Sequence, residues 1–240
     1  MKDRDTSAAL QAEHELKDLA HAIKVLANAR ASGWRPETLI SASLLDRLAD
    51  LALRMPAEHG LATGRWIIVR GPEARVRVAA AAFGQKLVTE APALIVVLAD
   101  LVPERIVGEQ ANRQAIEAGE LSPESARRLS ALASRAPGRW LGQAFWAVRH
   151  AMLTAGALMI GAAEAGLCAR LVADFDHARL REALGIPDDH EIAAMLALGH
   201  LQPGQGPGWT PRLEDLCFAD HFGQPWDCGG GQPEHQAPEA

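Results

Sequence analysis

The chain has 240 residues, of which 48% are hydrophobic and 22% are charged. This apolar content is enough for one large or two small folded domains and argues against a disordered chain. The net charge of −6 argues against a general nucleic-acid binder, because such proteins need a basic surface. Tyr is absent and Trp occurs six times, so no tyrosine can act as a proton donor.

The cysteines and the apolar segments bear on the compartment. Cys168, Cys217 and Cys228 are odd in number and widely spaced, which argues against a disulfide framework and favours a reducing compartment. The first residues lack the apolar core of a signal peptide. The longest apolar stretch, 151–163, is too short to cross a membrane. We therefore expect a cytoplasmic protein that binds neither membrane nor nucleic acid.

Apolar periodicity and turn residues predict the elements of the first half of the chain. In chain order they are a helix at 8–29, a helix at 41–54, a strand at 66–70, a helix at 73–89 and a strand at 93–99. The last of these, with the sequence ALIVVLA, is the clearest strand because it is continuously apolar and β-branched.

The second half contains more helix. The pattern predicts helices at 104–118, 122–135, 139–166 and 176–184, a short strand or bend at 169–173, an Ala-rich strand candidate at 191–199 and an ordered segment at 213–226. The helix at 139–166 is apolar over much of its length, as expected of a central, buried helix. The last residues, 229–240, are of low complexity and read as a disordered tail. The sum is an α+β fold with a small mixed or antiparallel sheet flanked by helices.

Generic chemical motifs do not appear in the sequence. No glycine-rich nucleotide loop, no nucleophile elbow and no CxxC pair is present. His14 and His21 lie seven residues apart and read as a solvated pair rather than a metal site. Asp176 reads as a helix N-cap rather than a metal ligand. Periodicity and spacing therefore give a fold class, with no metal site, no catalytic residue and no reaction.

Several stretches, in order, resemble the nitroreductase family of FMN-dependent oxidoreductases. They are Arg30–Trp34, the stretch from Pro56 to Val69, Glu90–Asp100 (EAPALIVVLAD), Leu158–Leu167 (LMIGAAEAGL), the Phe175–Asp176 pair with the following LGIP and ALG segments, and the Leu213–Leu216 and Phe222–Trp226 segments. Together they cover roughly residues 24–228. This resemblance implies a nitroreductase-like domain at 24–228, preceded by a helical extension at 1–23 and followed by the tail at 229–240.

The resemblance also implies an activity. Family members are usually homodimers that bind FMN at the subunit interface, with a nicotinamide cofactor as electron donor. We therefore expect this chain to use NAD(P)H to reduce a small-molecule acceptor, a nitroaromatic, quinone or related compound, by ping-pong hydride transfer. The cofactor carries that chemistry, so the lack of Tyr is no objection. The apolar residues of 213–226 are too spaced out to fold alone, which fits an extension that wraps a partner subunit.

The family's phosphate ligands match two residues near the start of the chain. By resemblance, Arg30 and Ser32 bind the FMN phosphate, and Arg212 closes the same phosphate from the C-terminal side. Arg suits this task because its guanidinium forms paired hydrogen bonds. Trp34 stands where the family has a second basic residue, so it is a candidate for contact with the flavin or substrate. Arg30 could equally be a solvated cation at a helix C-terminus.

Two further segments match family contacts to the ribityl chain and the ring. His59 and Gly60 lie in the loop that contacts the ribityl chain, although His59 could also be an exposed loop residue. Ala173 and Asp174 occupy the place of a Glu-Gly pair beside flavin N5. Asp174 would bring a carboxylate where Gly allows close approach, and a nearby negative charge disfavours an anionic reduced flavin.

These departures leave a second hypothesis open. The chain could be a degenerate relative, a dimeric binding protein with weak or no flavin binding and no redox catalysis. The loss of the ribityl-binding pattern, together with Trp34 and Asp174, motivates this alternative.

Overall fold

The computed structural model describes residues 33–35, 39–57, 62–103, 107–133, 142–200 and 211–224. The chain forms two units, Met1–Gly206 and Pro207–Ala240. The predicted domain divisions, after residues 23 and 228, lie outside the described residues, as does the predicted helix at 8–29. These domain divisions and this helix stay predictions.

The elements of the larger unit follow the predicted order closely. They are α1 (Ala42–Leu53), β1 (Gly64–Val69), α2 (Pro72–Ala81), α3 (Lys86–Thr89), β2 (Ala93–Asp100), α4 (Val107–Glu117), α5 (Pro123–Ala133), α6 (Gln143–Glu164), β3 (Cys168–Val172), α7 (His177–Leu184) and β4 (His190–Gly199). Local signals fix several boundaries. Ser41 caps α1 through a hydrogen bond from the Leu44 N–H, and Gly185 ends α7 in the left-handed conformation.

One predicted helix is wrong in its extent. The pattern at 73–89 predicts a single helix, but the structure has two, α2 and α3, separated by a tight turn. Phe83 and Gly84 both adopt positive φ in this turn, at 56° and 67°. Two consecutive left-handed residues cannot continue a right-handed helix, so the chain changes direction here.

The sheet has the strand order β1-β2-β4-β3, with every neighbouring pair antiparallel. This confirms the predicted small sheet and settles its type as antiparallel. It also confirms 191–199 as a strand despite its Ala content. Every residue of the central strand β2 is buried, because helices cover both faces of the sheet.

The side chains on the two faces of β2 belong to two separate hydrophobic clusters. Ile95 and Val97 point into the cluster shared with α1 and α6, whereas Leu94 and Val96 point into the cluster shared with α2 and α7. This alternation is the period-two pattern of a strand. The sheet is therefore a middle layer, with α6 on one side and α2 and α7 on the other.

The long helix α6 confirms the predicted central helix within its described bounds. It is long and apolar enough to cross a membrane by length and composition alone, but half of its most apolar window is buried inside the protein. Eleven of its residues are buried, among them Ala151, Ala155 and Ala162. Small side chains let the sheet approach closely, as in the core helix of a folded domain.

The smaller unit has little regular structure among its described residues. A single helical turn, α8 (Leu213–Leu216), precedes a pair of aromatic rings, Phe218 and Phe222, whose centroids lie 4.5 Å apart. Asp220 has a positive φ of 57° between these rings.

Candidate functional site

The segment between β3 and α7 holds the two predicted ring-contacting residues. Ala173 and Asp174 are both exposed. Asp176, two residues further on, caps α7 through a bond from the Arg179 N–H, at 3.0 Å. The N-cap predicted for Asp176 is therefore confirmed. The cap fixes where the helix begins and leaves Ala173 and Asp174 at its open end.

Hydrogen bonds to the end of α2 and to the turn after it hold the segment between β3 and α7 in place. The Gln85 side-chain amide donates to the Asp174 carbonyl at 2.6 Å, and the Asp176 N–H donates to the Ala81 carbonyl at 2.9 Å. Both partners belong to the end of α2 and the turn that follows it. Within the described part of the chain, the Asp174 N–H donates no hydrogen bond. The segment is thus held by its carbonyl and presents a backbone donor to solvent.

The start of β1 forms a buried polar cluster with α6. The Thr63 N–H donates to His150 Nδ1 at 3.1 Å, and the Thr63 hydroxyl donates to the Ala147 carbonyl at 2.7 Å. Thr63 is fully buried. The Thr63 hydroxyl is therefore bonded to α6 and buried behind β1.

Burial controls the charge of His150. Loss of hydration lowers its pKa below the ordinary value, and the nearby Arg65 guanidinium lowers it further, while the Met55 carbonyl opposes the shift. The ring is therefore neutral at pH 7, and acceptance at Nδ1 places the proton on Nε2. Nε2 is buried and has no hydrogen-bond partner among the residues described.

An ion pair closes the same end of the sheet. Arg65 Nη2 lies 2.6 Å from Asp100 Oδ2, and Asp100 Oδ1 accepts from the Val102 N–H at 2.8 Å. Arg65 also donates to the carbonyls of Ala62 and Gly64. These bonds join the start of β1 to the end of β2 and hold both in place.

Trp34 is a core residue in the structure. Only 4% of it is exposed, and its indole N–H donates to the Leu87 carbonyl at 2.9 Å. Its ring lies against Gly199, at the end of β4, where a Cβ would come within 2.6 Å of Trp34 Cε3. Packing in the core accounts for these contacts, and a contact with a cofactor stays a prediction.

Four predicted cofactor residues, Arg30, Ser32, His59 and Gly60, lie outside the described residues. Another predicted phosphate ligand, Arg212, is exposed and immediately precedes α8 in the smaller unit. The structure therefore brings Ala173 and Asp174 together on one held segment but leaves the predicted phosphate cluster untested.

Sequence reasoning missed the residues that hold these positions. Gln85 belongs to no sequence motif, and the only local signal near it is the Phe83-Gly84 pair, whose glycine indicates a turn. His150 lies within an apolar helix, where a single polar residue is a weak signal. Among the described residues, no group of three or more His, Cys, Asp or Glu side chains could hold a metal ion.

Comparison with known proteins identifies the architecture. The model of the nitroreductase family matches residues 34–200. A protein named NADH dehydrogenase from Thermus thermophilus is 30% identical over 170 residues, which is 65% of this chain and 75% of that protein.

Solved structures give the same fold. A nitroreductase of Bacillus subtilis superposes with a TM-score of 0.76 at 20% identity, over 85% of this chain and 99% of its own. A nitroreductase from Exiguobacterium sibiricum, solved in complex with FMN, has a TM-score of 0.73 at 16% identity, over 83% and 95%. An NAD(P)H:FMN oxidoreductase from Staphylococcus epidermidis has a TM-score of 0.70 at 16% identity, over 82% and 94%.

Proposed function

The chain belongs to the nitroreductase family, and from that premise we propose that it is an FMN-dependent oxidoreductase with NADH or NADPH as electron donor. The named relatives support this proposal, because one is solved with FMN and another is named for NAD(P)H and FMN. When bound, FMN would supply hydride transfer from the nicotinamide to a nitroaromatic, quinone or related acceptor. The protein's part is to bind and orient both reactants.

The observation that carries the proposal is the exposed segment at Ala173 and Asp174. The Asp174 carbonyl is anchored by Gln85, and the Phe175 N–H of the same planar peptide is unused among the described residues, so it is available to the edge of a flavin ring. An anchored donor does not have to be ordered when the ligand arrives, which favours binding. In this respect the described residues fit a flavin.

In the proposed site, positively charged side chains bind the FMN phosphate. We assign Arg30, Ser32 and Arg212 to the FMN phosphate, and His59 and Gly60 to the ribityl chain. A phosphate held by two guanidinium groups gains charge-assisted hydrogen bonds, each stronger than a neutral one. Loss of one such residue removes about 1.5–3 kcal/mol, or about 10- to 100-fold in affinity.

The Asp174 carboxylate favours the second hypothesis. It is an exposed negative group beside the donor that the ring would use. Such a charge opposes an anionic reduced flavin and would slow or abolish reduction. The second candidate is therefore the degenerate relative, a dimeric binding protein with weak or no flavin binding and no redox catalysis.

Flavin content and affinity separate these possibilities. We expect the purified protein to be yellow, to release FMN on acid precipitation and to rebind added FMN. Arg30→Ala and Arg212→Ala should each weaken FMN binding about tenfold or more. Arg128→Ala is the matched control, since Arg128 is an exposed arginine paired with Glu124 on α5. A colourless protein that takes up no FMN would rule out the leading proposal, and equal retention by all three variants would refute the phosphate assignment.

We propose that the protein is a homodimer that pairs through one face of α6. Phe145, Met152, Leu153 and Ile160 are all exposed and lie on one face of this helix, opposite the face that packs on the sheet. Such an apolar stripe is costly to leave in water. Leu153→Arg should convert the dimer to a monomer in sedimentation velocity, whereas Val76→Arg, at an exposed position on α2, should not. A wild-type monomer that binds FMN would contradict this proposal.

The thiols bear on the compartment. Cys168 and Cys217 are both free. Free thiols are typical of a reducing compartment, which supports the proposed cytoplasmic location.

A further inference from the structure

We propose that Gln85 is a positioning residue for the flavin site, acting through the backbone of Asp174. This inference rests on the proposed function, because it takes the exposed segment at Ala173 and Asp174 as the edge that meets the ring. The role of Gln85 is to fix the plane of the peptide that follows Asp174.

The hydrogen bond reaches across the fold. The donor, Gln85 Nε2, and the acceptor, the Asp174 carbonyl, lie 89 residues apart in sequence and 2.6 Å apart in space. A trans peptide holds its C=O and N–H in opposite directions. The carbonyl bound to Gln85 therefore aims the Phe175 N–H the opposite way. Among the residues described, that N–H also makes no hydrogen bond.

The turn that carries Gln85 is itself conformationally unusual. Phe83 has φ 56°, a left-handed conformation that costs a non-glycine residue energy, and the residue is 65% exposed. Backbone bonds hold the turn, from the Gly84 N–H to the Ala79 carbonyl and from the Gln85 N–H to the Ala82 carbonyl. The turn thus fixes Gln85 beside the segment, and the bond from Asp176 to Ala81 fixes the segment beside the turn.

A purely structural role explains this arrangement less well. The Gln85 bond is exposed, and an exposed hydrogen bond adds little to folding because water replaces it at small cost. Its consequence is local, since it sets the direction of one backbone donor, the Phe175 N–H. Removing it should leave the fold intact and weaken the ligand.

Gln85→Glu provides a sharp test because it keeps the shape and replaces the donor with a carboxylate. At pH 7.5 the carboxylate faces the Asp174 carbonyl, so two acceptors repel each other and the peptide turns. At low pH the protonated carboxyl regains an O–H donor and restores the bond. The charged or titratable side chains nearest in sequence to the two bonded residues are Lys86, Asp174, Asp176 and His177. Gln85→Ala keeps all of them and has no titratable group at this position, so comparison with it isolates the protonation of the introduced carboxyl.

The experiment measures FMN dissociation constants and melting temperatures of the apoprotein for the wild type, Gln85→Glu, Gln85→Ala and Gln114→Glu, from pH 7.5 to pH 4. Gln114 lies exposed on α4 and controls for the added charge. We expect Gln85→Glu to bind FMN about tenfold more weakly than the wild type at pH 7.5 and to approach it at pH 4, below the ordinary Glu pKa of about 4.3. Gln85→Ala should be weaker at both pH values, and Gln114→Glu should match the wild type throughout.

Other results would overturn the inference. Equal FMN affinity of wild type and Gln85→Glu at pH 7.5 would show that the bond does not position the ligand. A pH-independent loss that follows a fall in melting temperature would show a role in folding only. A wild-type protein that binds no FMN would overturn both the proposed function and this inference. That result differs from a wild type that binds FMN with the same affinity as Gln85→Glu, which would overturn the inference alone.

Discussion

The ion pair between Arg65 and Asp100 should be a principal support of the sheet end beside the buried cluster. Asp100→Ala removes an acceptor whose side chain is only 7% exposed and which accepts from both Arg65 and the Val102 N–H. Two bonds to a charged acceptor contribute about 3–6 kcal/mol. The Arg65 side chain is 26% exposed and keeps its bonds to two carbonyls, so water and those carbonyls recover part of the loss. We expect the lower end, a destabilisation of about 3 kcal/mol.

Urea unfolding measures this loss directly. With a slope of about 2 kcal/mol per molar urea, the unfolding midpoint should fall by about 1.5 M. Asp50→Ala is the matched control, because Asp50 also pairs with an arginine, Arg54, but both side chains are more than half exposed. An exposed pair contributes at most about 1 kcal/mol, so this midpoint should move by less than about 0.5 M. Equal shifts in the two variants would refute the argument from burial.

Three further predictions test packing and protonation. Gly199→Ala should lower the free energy of unfolding by about 1–3 kcal/mol, because its Cβ would come within 2.6 Å of the Trp34 ring. Gly71→Ser adds a Cβ in open space and should leave the free energy of unfolding nearly unchanged in the same urea assay. Burial raises the pKa of Cys168 to about 11 from 9.0, so its alkylation at pH 8, followed by mass spectrometry, should be about 100-fold slower in the folded protein than in urea; equal rates would contradict this. Burial lowers the pKa of His150 below 6.5, so below that pH the unfolded chain binds a proton more readily than the folded protein and the free energy of unfolding falls. Between pH 7.5 and 5.5 the melting temperature of the wild type should therefore drop more than that of His150→Asn. Parallel curves of melting temperature against pH would contradict a lowered His150 pKa.

The sequence predicts the sheet and most helices because their signals are local. β2 is a continuous apolar run, and α7 begins at a capping Asp176 and ends at Gly185, so each boundary has its own chemistry. The prediction of a single helix at 73–89 is wrong because the apolar periodicity of the sequence continues through the turn between α2 and α3. Phe83 gives no warning that it adopts positive φ, and only Gly84 hints at the break.

The candidate site is harder to predict because its supports are long-range. Gln85 and Asp174 meet only after the sheet has brought α2 beside α7. His150 meets Thr63 across 87 residues, and nothing near either residue in sequence specifies the other. Trp34 was singled out by its family position alone; the sequence did not predict its burial or its hydrogen bond to the Leu87 carbonyl, and its contact with a cofactor stays a prediction.

Anaerobic reduction of the FMN-loaded protein by NADH or NADPH tests the central claim most directly. We predict that either nucleotide bleaches the flavin absorption of the protein and that a quinone or nitroaromatic acceptor then restores it. Failure of the protein to load FMN, or a flavin absorption that neither nucleotide changes, would contradict the account.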